Sequence, residues 1–236
     1  MISLFIPTIP NHIQFLDEIL STYLNKSTVI PNEIIVSVSN YRTIPPEVLL
    51  PIIDKYLNVK FILHDKIMLA GPNRQVSKDF CNGDIIVYHD SDDLPHIQRI
   101  EIIKHFFENY DILHLSHSYD IKTMYNEDLI DISNIKYVTS DSMNKDYFPN
   151  NILEECVKYC NAYGGGYNIA VVAGSIAIKK EVLNHIKWKD RGELTYSPGW
   201  NNPSYKGAED YEFNMETTFS LKKSMLIDAK CFFYCT

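Results

Sequence analysis

The first 118 residues alternate short apolar runs with amphipathic stretches. Apolar runs typical of buried strands occupy 2–6, 33–39, 59–64, 84–90 and 111–118. Between them, apolar residues recur at helical spacing over 12–24, 45–57, 72–81 and 94–110, with Pro51 expected to break the second helix or begin a turn. This alternation predicts an α/β fold with a mainly parallel central sheet flanked by helices on both faces.

The pattern is less regular after residue 118. Residues 119–150 are polar and lack a clear period, which predicts a loop with short pieces of structure. We expect helices over 152–163, 181–186 and 208–223. We expect strands over 168–180, bent at Gly174, and over 225–235. The stretch 188–207 is rich in aromatic and turn residues and is predicted to be a loop.

Composition and charge narrow the class of protein. The chain is 45% hydrophobic and 22% charged, as is typical of a globular domain. Its net charge of −8 argues against binding a nucleic-acid backbone. No apolar run reaches the roughly 20 residues of a transmembrane helix, and the opening MISLFIPTIP is too short and uncharged for a signal peptide. We therefore expect a cytoplasmic protein with no transmembrane segment.

The chain has five cysteines, at 81, 156, 160, 231 and 235. An odd number without a signal peptide predicts reduced thiols. Two pairs share the spacing C-x3-C, and four thiolates are able to hold zinc. We favour the simpler interpretation that these cysteines are small buried apolar groups.

The acidic run Asp90-Ser91-Asp92-Asp93 follows directly on the predicted strand 84–90. Residues i and i+2 of an extended chain point to the same side, so Asp90 and Asp92 can converge at the carboxyl end of the sheet. Neighbouring carboxylates repel unless a cation or a proton lies between them. All-oxygen ligation suits Mg²⁺ or Mn²⁺, which keeps open positions for substrate phosphate oxygens.

The alternative is that Asp92 or Asp93 caps a helix beginning at Leu94-Pro95. A cap needs one acid, and this segment has three. We therefore favour a metal and diphosphate site, in which Asp90 and Asp92 bind the metal and Asp93 begins the helix.

Two further segments could carry chemistry. Gly71 precedes a predicted helix start, where free backbone N–H groups and Arg74 suit a phosphate, although a Pro-initiated helix with a solvated arginine explains them equally. Glu209 and Asp210 lie in the first turn of a predicted helix, where acids are favoured by the helix dipole. Alternatively, a carboxylate there is a general base that takes the proton of an attacking sugar hydroxyl.

Other loop residues are weaker candidates. Pro7, Thr8 and Asn40 fall after the first two predicted strands, where a nucleoside would sit, but taken alone they are turn residues. The loop before Glu209 contains aromatic residues that suit sugar stacking or a local core: Trp188, Tyr196, Trp200 and Tyr205.

Taken in order, several of these segments resemble family 2 glycosyltransferases with the GT-A fold. They are the opening Ile6-Pro7-Thr8, the turn 71–74, GDIIVYHDSDD at 83–93, AGSIAIKKEVL at 173–183, and GAEDYEF at 207–213. The likeness spans roughly residues 2–235, and the order and spacing of the motifs are more specific than any single motif.

The resemblance implies a single GT-A domain over 1–236, with a nucleotide-sugar-binding half at 1–118 and an acceptor-binding half at 119–236. It implies metal-dependent, inverting transfer of a sugar from a nucleotide-diphosphate sugar, UDP- or GDP-linked, to a hydroxyl acceptor such as a glycan. The implied cofactor is Mn²⁺ or Mg²⁺.

The resemblance also implies roles for individual residues. Asp90 would lie near the ribose and the metal, and Asp92 would ligate the metal. Asp210 would be the catalytic base, with Glu209 supporting the acceptor. The residues expected to lie near the nucleotide are Pro7, Thr8, Asn40, Gly71, Arg74 and Ser91.

The chain departs from the family pattern at three points. It has Ser39-Asn40 where the family often has a base-reading aspartate, and Pro-Asn-Arg at 72–74 where Arg-Asn is common. It ends at Cys235-Thr236 without the histidine or basic residue that some relatives place near the diphosphate.

Two rival functions stay open at this stage. A sugar-phosphate nucleotidyltransferase also uses a strand-end acid and a divalent ion, but such enzymes carry a long Gly-rich basic loop after the first strand. A non-catalytic nucleotide-sugar-binding module is compatible with the missing basic residues.

Overall fold

A computed structural model describes residues 1–118, 120–140, 173–190 and 209–234. Its strands are β1 (Ile2–Thr8), β2 (Glu33–Val38), β3 (Val59–Leu63), β4 (Ile85–Tyr88), β5 (Leu94–Pro95), β6 (His114–His117), β7 (Asp120–Ile121), β8 (Tyr137–Thr139), β9 (Ile176–Lys179), β10 (Ser224–Ile227) and β11 (Phe232–Tyr234). Its α-helices are α1 (Leu16–Ser21), α2 (Pro46–Lys55), α3 (Ala70–Gln75), α4 (Ser77–Phe80), α5 (Arg99–Asn109) and α6 (Glu209–Leu221).

Among the described residues, eight strands form one mixed sheet in the order β3-β2-β1-β4-β9-β6-β10-β8. The first four are parallel, and β6 and β10 are parallel to each other. Strand β9 is inserted antiparallel between β4 and β6. Because β9 and β10 come from the second half of the chain, strands of both predicted halves lie in one sheet.

The strands that carry the site are buried on both faces, as expected for a covered parallel sheet. In β1, Leu4 and Ile6 pack into one apolar cluster with residues of α1, α2 and α5. Phe5, between them, packs into a second cluster with Trp188 and with Phe213 of α6. The mainly parallel sheet covered by helices on both faces is therefore confirmed.

The segment predicted as one helix over 94–110 is different in the structure. Leu94 and Pro95 form the short strand β5, which pairs with β11, and the helix begins only at Arg99. The N-cap of α5 is Gln98, so the prediction that Asp93 begins this helix is wrong. The physical reason is that pairing with a distant strand satisfies the backbone at 94–96, including the His96 N–H, which donates to the Cys231 carbonyl at 3.0 Å.

Pro51 does not break α2, contrary to expectation. It lies inside the helix on an exposed position, where its missing N–H removes one backbone hydrogen bond. The helix is retained because Leu49 is buried and Ile52 and Ile53 pack against the core. Tertiary packing thus outweighs the local preference of proline.

Three other predicted elements are divided. The helix over 12–24 is a 3-10 turn (Pro10–Phe15), α1 and a π-helical turn (Thr22–Lys26). The helix over 72–81 is α3 and α4, with Gly71 inside α3. The strand over 225–235 is β10 and β11, which belong to different sheets.

Several predictions agree with the structure or fall outside it. Residues 120–140 contain short pieces of structure, as expected, and Gly174 lies in a 3-10 turn directly before β9. The segment 181–186 is largely a 3-10 helix, Lys180–Asn184. The predicted helix over 152–163, and residues 168–172 of the predicted strand, lie outside the described residues. Among the described helices, none combines the length and apolar character needed to cross a membrane.

Candidate active site

A cavity of about 320 Å³ opens at the carboxyl ends of β1 and β4. These strands are parallel neighbours, so the loops that follow them meet at the same edge of the sheet. Residues at the end of β1, after β1 and β4, in or beside α3, and at the start of α6 line the cavity: Pro7, Thr8, Ile9, His12, Met68, Ala70, Asn73, Arg74, Asp90, Ser91, Asp92, Asp93 and Asp210.

Arg74 joins the two sides of this cavity through two ion pairs. One guanidinium nitrogen, Nη2, donates to Asp90 Oδ1 at 2.6 Å, and the other, Nη1, donates to Glu209 Oε1 at 2.8 Å. The Arg74 side chain is 8% exposed. A single buried cation therefore connects the loop after β4 with the helix that carries Asp210.

The charge of Arg74 is held firmly in place. Burial lowers the pKa of its guanidinium, but the surrounding charges of Asp90, Glu209 and Asp210 outweigh burial and raise that pKa above the ordinary value. Arg74 also lies over the indole ring of Trp188, 5.3 Å from its centroid. Arg74 is therefore charged at neutral pH.

Trp188 belongs to the core. Its ring stacks on Phe213 with centroids 3.9 Å apart and contacts the edge of Tyr88, and the residue is 2% exposed. Of the two alternatives for the aromatic residues, a local core holds for Trp188, which cannot stack on a sugar. Tyr196, Trp200 and Tyr205 lie outside the described residues.

Both carboxylate oxygens of Asp90 are engaged by protein donors. Oδ1 accepts from Arg74, and Oδ2 accepts from the backbone N–H of Gly174 at 3.1 Å. The close approach is helped by glycine, since a Cβ at position 174 would lie 3.3 Å from Asp90 Oδ2. Asp90 is thus fixed in position from two sides.

A buried arginine, Arg99, binds the backbone on both sides of Asp90, at the end of β4 and at Gly174. It donates to the carbonyl oxygens of Tyr88 (2.6 Å) and Gly174, and to the Tyr23 hydroxyl at 2.9 Å. It also contacts the rings of His89 and His117, whose pKa values burial lowers well below the ordinary value. The network joins the end of β4 to the turn whose N–H holds Asp90.

Sequence reasoning missed Arg99. An arginine within an amphipathic helix ordinarily lies on the solvated face, and nothing in the local pattern distinguishes this one. Its partners are remote in the chain, and the insertion of β9 beside β4 brings one of them, the Gly174 carbonyl, against it.

Asp92 stands apart from the Arg74 cluster. Its carboxylate Oδ1 lies 3.8 Å from His12 Nδ1, and its side chain is 33% exposed. Burial raises the pKa of Asp92, as does the neighbouring charge of Asp90, while His12 and Arg74 lower it. Within the acidic run, Asp92 is therefore a carboxylate whose charged form a bound cation would stabilise.

His12 is a second residue that sequence reasoning missed. Its Nδ1 lies 3.3 Å from the Ser91 hydroxyl, and its side chain lines the cavity beside Asp92. The strand order could have pointed to His12. It follows β1 and the acidic run follows β4, and the loops after adjacent parallel strands meet at one edge of the sheet.

Asp210, in the first turn of α6, also lines the cavity. Glu209, its neighbour, faces Arg74. The structure thus brings together Asp90, Asp92 and Asp210, three of the residues that the sequence singled out.

Of the remaining predicted nucleotide-binding residues, some line the cavity and others do not. Pro7, Thr8 and Ser91 line the cavity, and the buried Thr8 hydroxyl makes no hydrogen bond within the described part of the chain. Among the described residues, Asn40 and Gly71 do not line it. Asn40 adopts a left-handed conformation (φ 51°) after β2, and Gly71 packs beneath the Lys189 carbonyl. Their roles toward a nucleotide stay predictions.

The fit of a divalent cation depends on Asp92. Within the described segments, no group of three or more His, Cys, Asp or Glu side chains is arranged to hold a metal. Asp90 has both oxygens engaged, whereas Asp92 has a carboxylate facing the cavity. The described residues fit a cation held in part by Asp92, rather than a complete protein-only metal site.

Cys81 and Cys231 are reduced and buried, and burial raises the pKa of each thiol to about 12. They behave as apolar core groups, as we favoured. The other three cysteines lie outside the described residues.

Comparisons with known proteins support the fold. No protein-family model matches the chain, and none of the curated proteins compared with it matches. The structure is similar to that of S. aureus TarS 1–349, a glycosyltransferase, with a TM-score of 0.65 and 18% identity over 100% of this chain and 60% of that chain.

TarS 1–349 has also been solved with UDP and with UDP-GlcNAc. Both complexes give a TM-score of 0.66 and 17% identity over 100% of this chain, covering 60% and 58% of those chains. This chain therefore has a GT-A-like fold and spans about 60% of the TarS 1–349 chain. Membership of family 2 stays a prediction.

Proposed function

We propose that this chain is a glycosyltransferase that moves a sugar from a UDP-sugar to a hydroxyl group of a glycan or similar acceptor. The observation that carries the proposal is a carboxylate-lined cavity at the carboxyl edge of a GT-A-like sheet. The likeness of the whole chain to structures solved with UDP and UDP-GlcNAc supports a uridine nucleotide as the donor group.

In this proposal, the acidic run binds the donor. Asp90 is held rigid by Arg74 and Gly174, so it can orient the donor without rearrangement. Asp92 would hold Mn²⁺ or Mg²⁺, whose charge offsets the negative charge that develops on the departing nucleoside diphosphate.

Asp210 acts on the acceptor. Its carboxylate takes the proton of an acceptor hydroxyl while that oxygen forms a bond to the anomeric carbon. The bond between the anomeric carbon and the diphosphate oxygen breaks in the same step. Attack from the opposite face inverts the anomeric configuration, and no side-chain nucleophile is required.

The proposal predicts separate effects for the two acids. Thermal unfolding of the wild-type protein should shift upward with a UDP-sugar, more so in Mn²⁺ than in EDTA. Asp92→Asn should lose the Mn²⁺-dependent part of the shift. Asp210→Asn should keep the shift but lower sugar transfer by about 100-fold or more, the usual size of general-base catalysis. Asp54→Asn, which changes an exposed acid on α2, is the control and should behave as wild type.

Two results would contradict the proposal. One is wild-type protein that no nucleotide sugar stabilises with either metal. The other is Asp210→Asn protein that transfers sugar at the wild-type rate.

A further inference from the structure

Few basic side chains line the described part of this cavity. Its described lining includes four carboxylates, those of Asp90, Asp92, Asp93 and Asp210, but two basic side chains, those of Arg74 and His12. Arg74 is already committed to two ion pairs with Asp90 and Glu209. A nucleoside diphosphate that enters this cavity therefore meets His12 as the basic group that is not tied into the buried ion-pair cluster.

The position of His12 is set by its local structure. It lies in the 3-10 turn Pro10–Phe15, where its backbone N–H donates to the Ile9 carbonyl at 3.0 Å. The next residue, Ile13, is fully buried and anchors the turn to the core. The His12 side chain is 28% exposed and lies beside both Ser91 and Asp92.

We propose that His12 and the Ser91 hydroxyl bind the diphosphate of the nucleotide-sugar donor. This inference rests on the proposed function, because it assumes that a nucleoside diphosphate occupies the cavity. A cation on Asp92 would also bind phosphate oxygens, and His12, 3.8 Å from Asp92, would lie within reach of those oxygens. An imidazole N–H donates whether the ring is neutral or charged, so the contact requires no change of protonation.

The proposed contact comes from the turn that follows β1. A contact from the loop after β1 approaches the phosphates from the β1 side of the acidic run, next to Asp92. The site then has a phosphate-binding group within the first 15 residues of the chain.

The test separates phosphate binding from nucleoside binding. Calorimetry should compare uridine, UMP and UDP on wild type, His12→Ala and His12→Gln, each in Mn²⁺ and in EDTA. His12→Ala should weaken UDP binding about 10-fold, which corresponds to about 1.4 kcal/mol, in both buffers. Uridine binding should change less than about 2-fold. His12→Gln keeps an N–H donor and should recover part of the loss.

His105→Ala is the matched control, since His105 lies on α5 and is not among the cavity-lining residues. It should bind all three ligands as wild type does. If His12→Ala unfolds, the same comparison made with His12→Gln decides, because it should weaken UDP more than uridine.

Each contrary outcome has its own meaning. Equal losses for uridine and UDP, or no loss for either, would overturn the phosphate contact and leave the proposed function standing. A loss confined to Mn²⁺ would make His12 a metal ligand and overturn the contact as proposed. Wild-type protein that binds none of the ligands would overturn this inference together with the proposed function.

Discussion

Arg74 shows how much of the site depends on the shape of a single side chain. Its guanidinium presents two nitrogens to two carboxylates at once, Nη2 to Asp90 and Nη1 to Glu209. A lysine carries the same charge on one compact ammonium and cannot span both partners in the same geometry. The cluster is also buried, so a carboxylate that loses its partner is not fully compensated by water.

We expect Arg74→Lys to destabilise the protein by about 1–3 kcal/mol, because one buried carboxylate loses its charged hydrogen bond. Urea unfolding measures this change. The control is Arg42→Lys, which weakens a pair with Asp65 in which the arginine side chain is 67% exposed, and its unfolding midpoint should stay close to that of the wild type. Equal changes for the two variants would show that the Arg74 bridge adds nothing beyond a surface pair.

The residues around the cavity differ in how far sequence could identify them. Asp92 and Asp210 were identified because acids at a strand end and at a helix start belong to recognisable local patterns. His12 and Arg99 were missed because their importance comes from neighbours that are remote in the chain, Asp92 for one and Gly174 for the other. The sequence shows which chemical group a side chain carries, but the topology of the fold determines which residues it contacts.

At the scale of elements, strands with continuous apolar runs were predicted well. β1, β2 and β4 are buried along nearly their whole length, and in β3 Val59 is buried. The errors occurred where long-range pairing decides the structure. Leu94 and Pro95 become a strand because β11 lies beside them, and the predicted strand over 225–235 is divided because its two parts join different sheets.

Gly71 in α3 illustrates a contact that no local pattern reveals. The backbone of Lys189 crosses α3 at this position, and a Cβ on residue 71 would overlap the Lys189 carbonyl. The crossing segment cannot easily move away. The Trp188 N–H donates to Gln75 at 2.8 Å, and Lys189 Nζ binds Glu212 at 2.5 Å.

We therefore predict that Gly71→Ala destabilises the protein by about 1–3 kcal/mol, the usual cost of overpacking a buried contact. The midpoint of urea unfolding is the measurement. Because the overlap involves a backbone oxygen, adding Lys189→Ala should not restore stability. A Gly71→Ala protein as stable as wild type would mean that the glycine is there for a different reason, such as the approach of a phosphate to its N–H.

At the scale of the whole molecule, the site is acidic within an acidic protein. The chain carries a net charge of −8, and four aspartates line the cavity. The acids come from both halves of the chain, and β9, inserted between β4 and β6, brings those halves together. A dianionic or trianionic nucleotide therefore meets a repulsive field unless a cation is present.

Because of this field, the direction in which salt changes the affinity for a nucleotide depends on whether Mn²⁺ is present. In EDTA, raising the ionic strength from about 0.01 M to 0.15 M shortens the screening length from about 30 Å to about 8 Å and weakens the repulsion between cavity and nucleotide. UDP should then bind more tightly at the higher salt concentration. In Mn²⁺, the same salt screens the attraction of the cation to Asp92 and to the phosphates, so UDP should bind less tightly. Calorimetric titrations at the two salt concentrations, with and without Mn²⁺, measure both slopes. A phosphate site dominated by the protein's own basic groups would instead weaken with salt in both buffers, and that result would refute the view that the cavity depends on a cation to accept its donor.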